Sequence, residues 1–188
     1  MKIGIFGGSF DPFTIGHANV VKKAFQQLKL DKIIIVPTTV NYYRPDKRYL
    51  FTFDEKVRII QNFTCGIREN VEIDTIEKDK DGSWRTIDLV QYFKKKFPTD
   101  NLYLIIGEDS YNDFKTWARW EEILDYVQLA VANRGYTAFI GQSYRRDVPA
   151  ESIDMGKDFE DCSATNTRNK LIEELIELYL SDSSWYSA

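Results

Sequence analysis

Histidine and cysteine are scarce in this chain: one histidine, His17, and two cysteines, Cys65 and Cys162, among 188 residues. The cysteines stand far apart without partners at metal-ligand spacing. Neither a zinc motif nor a disulfide framework is written here, and no residue is assigned to a metal. No run of about 18 apolar residues occurs, and Met1 to Phe6 has no apolar stretch behind a basic start, so no membrane span or export signal is readable. A cytoplasmic address is expected. Excess positive charge is lacking as well. A net charge of −4 sets up no global field for polyanions, which argues against a dedicated nucleic-acid binder while leaving local phosphate sites open. Internal repeats and low-complexity tracts are absent.

What is present suffices for one core. With 43% hydrophobic and 14% aromatic residues, the chain has enough apolar area for a single domain over 1–188, and 29% charged residues suit an ordinary surface. Strand-like and helix-like segments alternate along it. Lys2 to Phe6 and Lys32 to Val36 are short apolar runs, the second β-branched and stopped by Pro37, and the amphipathic segment Ala18 to Leu28 lies between them. Phe53 to Phe63 has helical spacing with Thr52 or Asp54 as its cap, and Val71 to Asp74 reads as a strand. Thr86 to Phe97 reads as a helix ended by Pro98, Leu102 to Ile106 as a buried strand, Trp117 to Val127 as a helix and Leu129 to Ala132 as a strand. A loop-rich stretch from Gly135 to Glu160 holds at most one short strand, near Ser152 to Met155. A helix over 166–180 and a frayed tail over 181–188 close the chain. The predicted class is α/β, with a mostly parallel central sheet flanked by helices.

The segment Gly7-Gly8-Ser9-Phe10-Asp11-Pro12-Phe13-Thr14-Ile15-Gly16-His17 follows the first strand and enters the first helix. Gly7 and Gly8 let the backbone approach a ligand, Gly16 keeps room at the helix entrance, and first-turn N–H groups with the helix dipole suit phosphate oxygens. His17, as imidazolium or through a ring N–H, is placed to reach a phosphate whose charge grows in a transition state, with Thr14 approaching from the other side. A glycine-rich turn with a capping histidine is the plainer alternative. The spacing matches neither the three-glycine dinucleotide fingerprint nor the lysine-ended P-loop. Far downstream, Ser163-Ala164-Thr165-Asn166-Thr167-Arg168 offers hydroxyls and N–H groups at a helix start and a fixed charge for β- and γ-phosphates, or else an ordinary cap with a surface arginine. Lys94, Lys95 and Lys96, at a predicted helix C-terminus, are read as partners of the dipole rather than as a nucleic-acid site.

Thr14-Ile15-Gly16-His17, with Gly-Ser-Phe-Asp-Pro before it, resembles the (H/T)xGH motif of the adenylyltransferase and cytidylyltransferase superfamily. Residues 163–168 are similar to that superfamily's C-terminal SSTxxR motif. Ile105 to Ser110, followed by Thr116 to Leu124, resembles the bacterial nicotinate mononucleotide adenylyltransferases more narrowly, and Gly82 to Thr86 does so less closely. The resemblance implies a Rossmann-like nucleotidyltransferase fold and transfer of AMP from ATP to a pyridine mononucleotide in NAD biosynthesis. It further implies ATP at Gly7, Gly8, Ser9, Phe10, Gly16, Ser163 and Thr165, with His17, Thr14 and Arg168 catalytic. The pyridine nucleotide is expected at Trp84, Arg85, Thr86, Asp109, Trp117 and Arg134. In that assignment Asp109 binds ribose hydroxyls, Trp117 stacks on the ring, and main-chain amides near Trp84 to Thr86 meet the ring carboxylate or carboxamide.

A helix cap at Asp109 and core roles for Trp117 and Trp120 are the structural alternatives. Mg²⁺ held through the ATP phosphates is the implied cofactor. The chain departs from the family where a lysine in a proline-rich stretch usually reaches the phosphates: Arg44, Lys47 and Arg48 stand there instead. After Arg168 a single helix replaces a longer segment. Nicotinate mononucleotide is preferred over nicotinamide mononucleotide by resemblance alone. A phosphopantetheine adenylyltransferase and a non-catalytic nucleotide-binding regulatory module are the rival readings, and a homo-oligomer is left open.

Overall fold

A strand that carries apolar side chains on both faces is stable only where helices cover it on both sides. The computed structural model of the chain describes residues 1–39, 48–67, 70–79, 84–133, 148–156, 169 and 171. Six strands in that set form one wholly parallel sheet: β1 (Lys2–Gly8), β2 (Lys32–Pro37), β3 (Val71–Ile73), β4 (Asn101–Gly107), β5 (Gln128–Asn133) and β6 (Ala150–Asp154). Their order across the sheet is β3-β2-β1-β4-β5-β6. The helices are α1 (Ile15–Leu28), α2 (Phe53–Thr64), α3 (Ile76–Asp79), α4 (Thr86–Lys96), α5 (Glu108–Asn112) and α6 (Trp120–Tyr126).

Side chains along β1 alternate between two cores. Phe6 packs with Val21, Ala24 and Phe25 of α1 on one face, while Ile3 and Ile5 turn to Val90 and Phe93 of α4 on the other. Ile5 lies in register between Ile34 and Leu104. Ile5, Ile34 and Ile105 expose no surface, and burying each contributes about 1.5–3 kcal/mol. Gly4 shares the α1 face. A Cβ there would stand 2.9 Å from the side chains of both Leu30 and Ile105, so the missing side chain lets these two close over the strand.

Because α1 covers one face and α4 the other, the sheet changes winding direction between β1 and β4, where α/β sheets open a crevice at the carboxyl ends of their strands. Among the described residues, no helix is long and apolar enough to cross a membrane. Thr52, not Asp54, caps α2: its N–H donates to Glu55 Oε2 at 2.8 Å and its Oγ1 accepts from Glu55 N–H at 3.4 Å.

Several segments differ from the expected ones. The first helix starts at Ile15, three residues earlier than its apolar periodicity indicates, because Thr14 already serves as N-cap. The expected helix over Trp117 to Val127 begins only at Trp120, since Arg119 adopts the left-handed conformation (φ 55°) behind a single 3-10 turn, Phe114–Thr116. α3 and α5, of four and five residues, had no periodic signal. The short strand expected near Ser152 is β6, an edge strand paired with β5. Residues 169 and 171 are helical, and the remainder of the helix expected over 166–180 lies outside the described residues.

Candidate active site

The crevice opens at the ends of β1 and β4, and two glycines line it. A Cβ on Gly8 would meet the Phe10 ring at 3.0 Å, so a side chain there would have to push the ring aside by a few tenths of an ångström. At Gly7 a Cβ would be 3.8 Å from Leu89, an ordinary contact; its bareness is not demanded by the protein and leaves backbone open to the cavity it lines. Phe10 then takes a left-handed conformation (φ 42°) while almost wholly buried. That conformation costs roughly 1–2 kcal/mol for a residue with a side chain. Its ring sits edge-on to His17 at 5.3 Å and to Phe6 at 5.2 Å, and burial in this cluster offsets the strain.

Thr14 and His17 meet at the start of α1. The Thr14 backbone N–H lies 3.0 Å from His17 Nδ1, and its hydroxyl lies 2.9 Å from the same atom. A backbone N–H can only donate, so Nδ1 accepts and the ring proton resides on Nε2. The imidazole is thereby held as the neutral tautomer that donates through Nε2, beside helix amides that attract anions. Phe13 lies against the ring, 5.1 Å between centroids. Gly16, second in α1, is half-buried.

On the other side of β1 a cavity of about 270 Å³ is lined by Gly7, Gly8, Ser9, Trp84, Arg85, Thr86, Ser110 and Trp117, among others. Trp84 is braced edge-on by Tyr92 at 5.7 Å, and Trp117 lies 5.3 Å from the buried Phe114. Thr86 opens α4, so by helix geometry its amide and that of Ile87 have no intrahelical acceptor. The Arg85 N–H instead donates to Asp88 Oδ2 at 3.1 Å. This narrows the expected main-chain contacts of Trp84 to Thr86 to the amides that begin the helix. Asp109 is exposed in the first turn of α5 and does not line the cavity, whereas its neighbour Ser110 does. His17 and Thr14 also lie outside it, on the α1 side of the same loop. The structure therefore gathers Gly7, Gly8 and Ser9, expected on the ATP side, with Trp84, Arg85, Thr86 and Trp117 around one cavity, and places Phe10, Thr14, Gly16 and His17 around a helix start.

Two charged residues at this crevice, Lys56 and Glu77, escaped the sequence reading, and a third, Asp11, stood in the motif without a role of its own; all are buried. Asp11 accepts from the backbone N–H groups of Leu50 and Phe51 at 3.0 Å, tying a second segment to the motif loop. Lys56 donates to the Thr38 carbonyl at 3.2 Å, and its ammonium lies 3.4 Å from the Tyr49 ring centroid. Glu77 Oε2 accepts from Thr39 N–H at 3.4 Å, and burial pushes its carboxyl up to about 7 against the opposing pull of Thr39 and Lys56. Thr38 N–H bonds to the Gly8 carbonyl at 2.9 Å, so backbone ties the ends of β1 and β2 together beside these side chains. A signal existed for Lys56, which stands between Phe53 and Ile60 on the inward stripe of α2. For Glu77 there was none.

The sequence pattern of the cytidylyltransferase-like family matches residues 5–170. The chain belongs to the cytidylyltransferase-like family. Within it, the chain is 36% identical over 138 residues to a probable nicotinate-nucleotide adenylyltransferase of Aliarcobacter butzleri, covering 72% of this chain and 74% of that one. Identity is also 36% over 135 residues to a probable nicotinate-nucleotide adenylyltransferase of Campylobacter jejuni, covering 71% and 72%. Among solved structures, Plasmodium falciparum nicotinic acid mononucleotide adenylyltransferase complexed with NaAD superposes with a TM-score of 0.67 at 21% identity, covering 80% of this chain and 72% of that one. That likeness confirms the Rossmann-like nucleotidyltransferase fold. Of the residues that family resemblance assigned, Arg134, Ser163, Thr165 and Arg168 lie outside the described residues, as do Arg44 and Lys47; Arg48 is exposed.

Proposed function

We propose that this chain transfers the AMP part of ATP to nicotinate mononucleotide in the cytoplasm, with nicotinamide mononucleotide as the alternative acceptor, forming the dinucleotide for NAD synthesis. The observation that carries this reading is the cavity beside Gly7 and Gly8: two indoles and a helix N-terminus suit a flat ring with an acidic or amide substituent. It adjoins a second anion-favouring helix start at Thr14 and His17, as two substrates joined phosphate to phosphate require. The names of the 36% identical relatives support the same acceptor.

In this reaction a phosphate oxygen of the mononucleotide attacks the α-phosphorus of ATP in line. The new P–O bond forms as the bond to the bridging oxygen of the β-phosphate breaks, and pyrophosphate leaves with its electron pair. His17 donates from Nε2 to the phosphate oxygens on which charge accumulates, and Thr14 holds the ring for that task. Trp117 stacks on the pyridine and the Thr86 end of α4 meets its substituent. Arg168, Ser163 and Thr165 take the β- and γ-phosphates, and Arg134 and Asp109 the mononucleotide, on family resemblance. Mg²⁺ enters as part of the ATP substrate, on its phosphates; among the described residues no group of three or more His, Cys, Asp or Glu gathers that would hold it separately.

Incubation with ATP, Mg²⁺ and nicotinate or nicotinamide mononucleotide is expected to release pyrophosphate with one or both. Release only with phosphopantetheine would replace this reading with that of a related transferase, and binding without release would make the chain a regulatory module.

A further inference from the structure

Glu77 projects from the one-turn helix α3 into the wall of the acceptor cavity, which it lines together with Gly7, Trp84, Arg85, Thr86 and Trp117. A buried carboxyl beside a substrate pocket is costly unless the structure uses it. Two neutral donors bond it, with the Lys56 charge acting in the same direction: Thr39 N–H donates to one oxygen from the end of β2, and the Thr38 hydroxyl also bonds it. Lys56 approaches from α2 and is itself committed to the Thr38 carbonyl and the Tyr49 ring. Arg85 lines the same cavity at the entrance to α4. Lys78, the next residue of α3, is paired with Asp54 at 2.6 Å, and Lys96 with Asp74 at 2.9 Å, so both of these lysines have carboxylates of their own.

We propose that Glu77 is a specificity-determining residue, whose carboxyl in the cavity wall sets the preference between a ring carboxylate and a ring carboxamide on the acceptor. The inference rests on the acceptor reading given above. A neutral carboxyl donates to a ring carboxylate; an ionised one repels it and accepts from a carboxamide N–H instead. Burial lifts this carboxyl to about 7, so both forms are populated near neutrality. The phosphates titrate alike in both acceptors and cancel in a ratio.

The test is the ratio of kcat/KM for nicotinate over nicotinamide mononucleotide, measured with saturating ATP and Mg²⁺ from about pH 6 to 8.5. In the wild-type protein the ratio is expected to fall on the order of tenfold across that range as repulsion between the two carboxylates develops. In Glu77→Gln it is expected to stay flat. A flat wild-type ratio overturns the proposal without any variant, and so does a Glu77→Gln ratio that falls as steeply as the wild type's. Turnover of both acceptors with a flat ratio sinks only the role of Glu77; turnover of neither sinks the acceptor reading and this one with it.

Discussion

The two sides of the β1 carboxyl end are built in opposite ways. On the α1 side, consecutive residues do everything: Phe10 is strained but buried, the His17 ring is enclosed by Phe6, Phe10 and Phe13, and Thr14 holds its Nδ1. On the α4 side, residues from well-separated segments, among them Glu77, Trp84 to Thr86, Ser110 and Trp117, face a cavity. The first side is a rigid arrangement written in one stretch of chain. The second depends on how far-apart elements dock, which is where an acceptor pocket can diverge while the phosphate chemistry stays constant.

The sharpest way to break this comparison is His17→Ala. Loss of one aimed donor is expected to lower kcat about 10²–10³-fold, with KM for the mononucleotide little changed and the melting temperature held. A variant with near-normal kcat would strip the α1 side of its catalytic role. Glu77→Gln probes the α4 side through stability. Because the folded carboxyl titrates at about 7 rather than 4.5, its neutral form stabilises the fold fully below about 4.5, and that contribution is lost as the pH rises through 7. The variant is therefore expected to gain on the wild type as the pH is raised, by up to ~3 kcal/mol above pH 7, in chemical denaturation measured at about pH 5 and pH 8. A gap that does not widen would show that Glu77 is ionised without penalty.

Trp117→Ala should raise KM for the mononucleotide by roughly 5- to 100-fold, the worth of one stacked ring, and leave KM for ATP in place. A change confined to ATP would exchange the two subsites. Lys96→Ala is the control at the opposite end of α4: the exposed pair with Asp74 is worth about 0–1 kcal/mol, and steady-state kinetics should be unaltered.

The same contrast explains what was legible in the sequence. β1, β2 and β4 are central strands whose two buried faces leave unbroken aliphatic runs, and the motif loop is contiguous, so both were readable. Trp117 was found through its neighbours, yet the helix assigned to it begins three residues later, because a left-handed Arg119 has no signature in composition. Glu77 sits in a single turn too short to show a period, and its burial arises only from tertiary contacts at the end of β2. Lys56 shows the other failure: a charge on an apolar stripe was given no role, although a lysine at such a position must find buried acceptors.

Asp11 gives the crevice one more property. It grips Leu50 and Phe51, while Thr38 is bonded to Gly8, so the end of β2 and the approach to α2 are both fastened to the same motif loop. Because Thr52 caps α2 immediately after this tether, Asp11 couples the placement of that helix to the loop that carries His17.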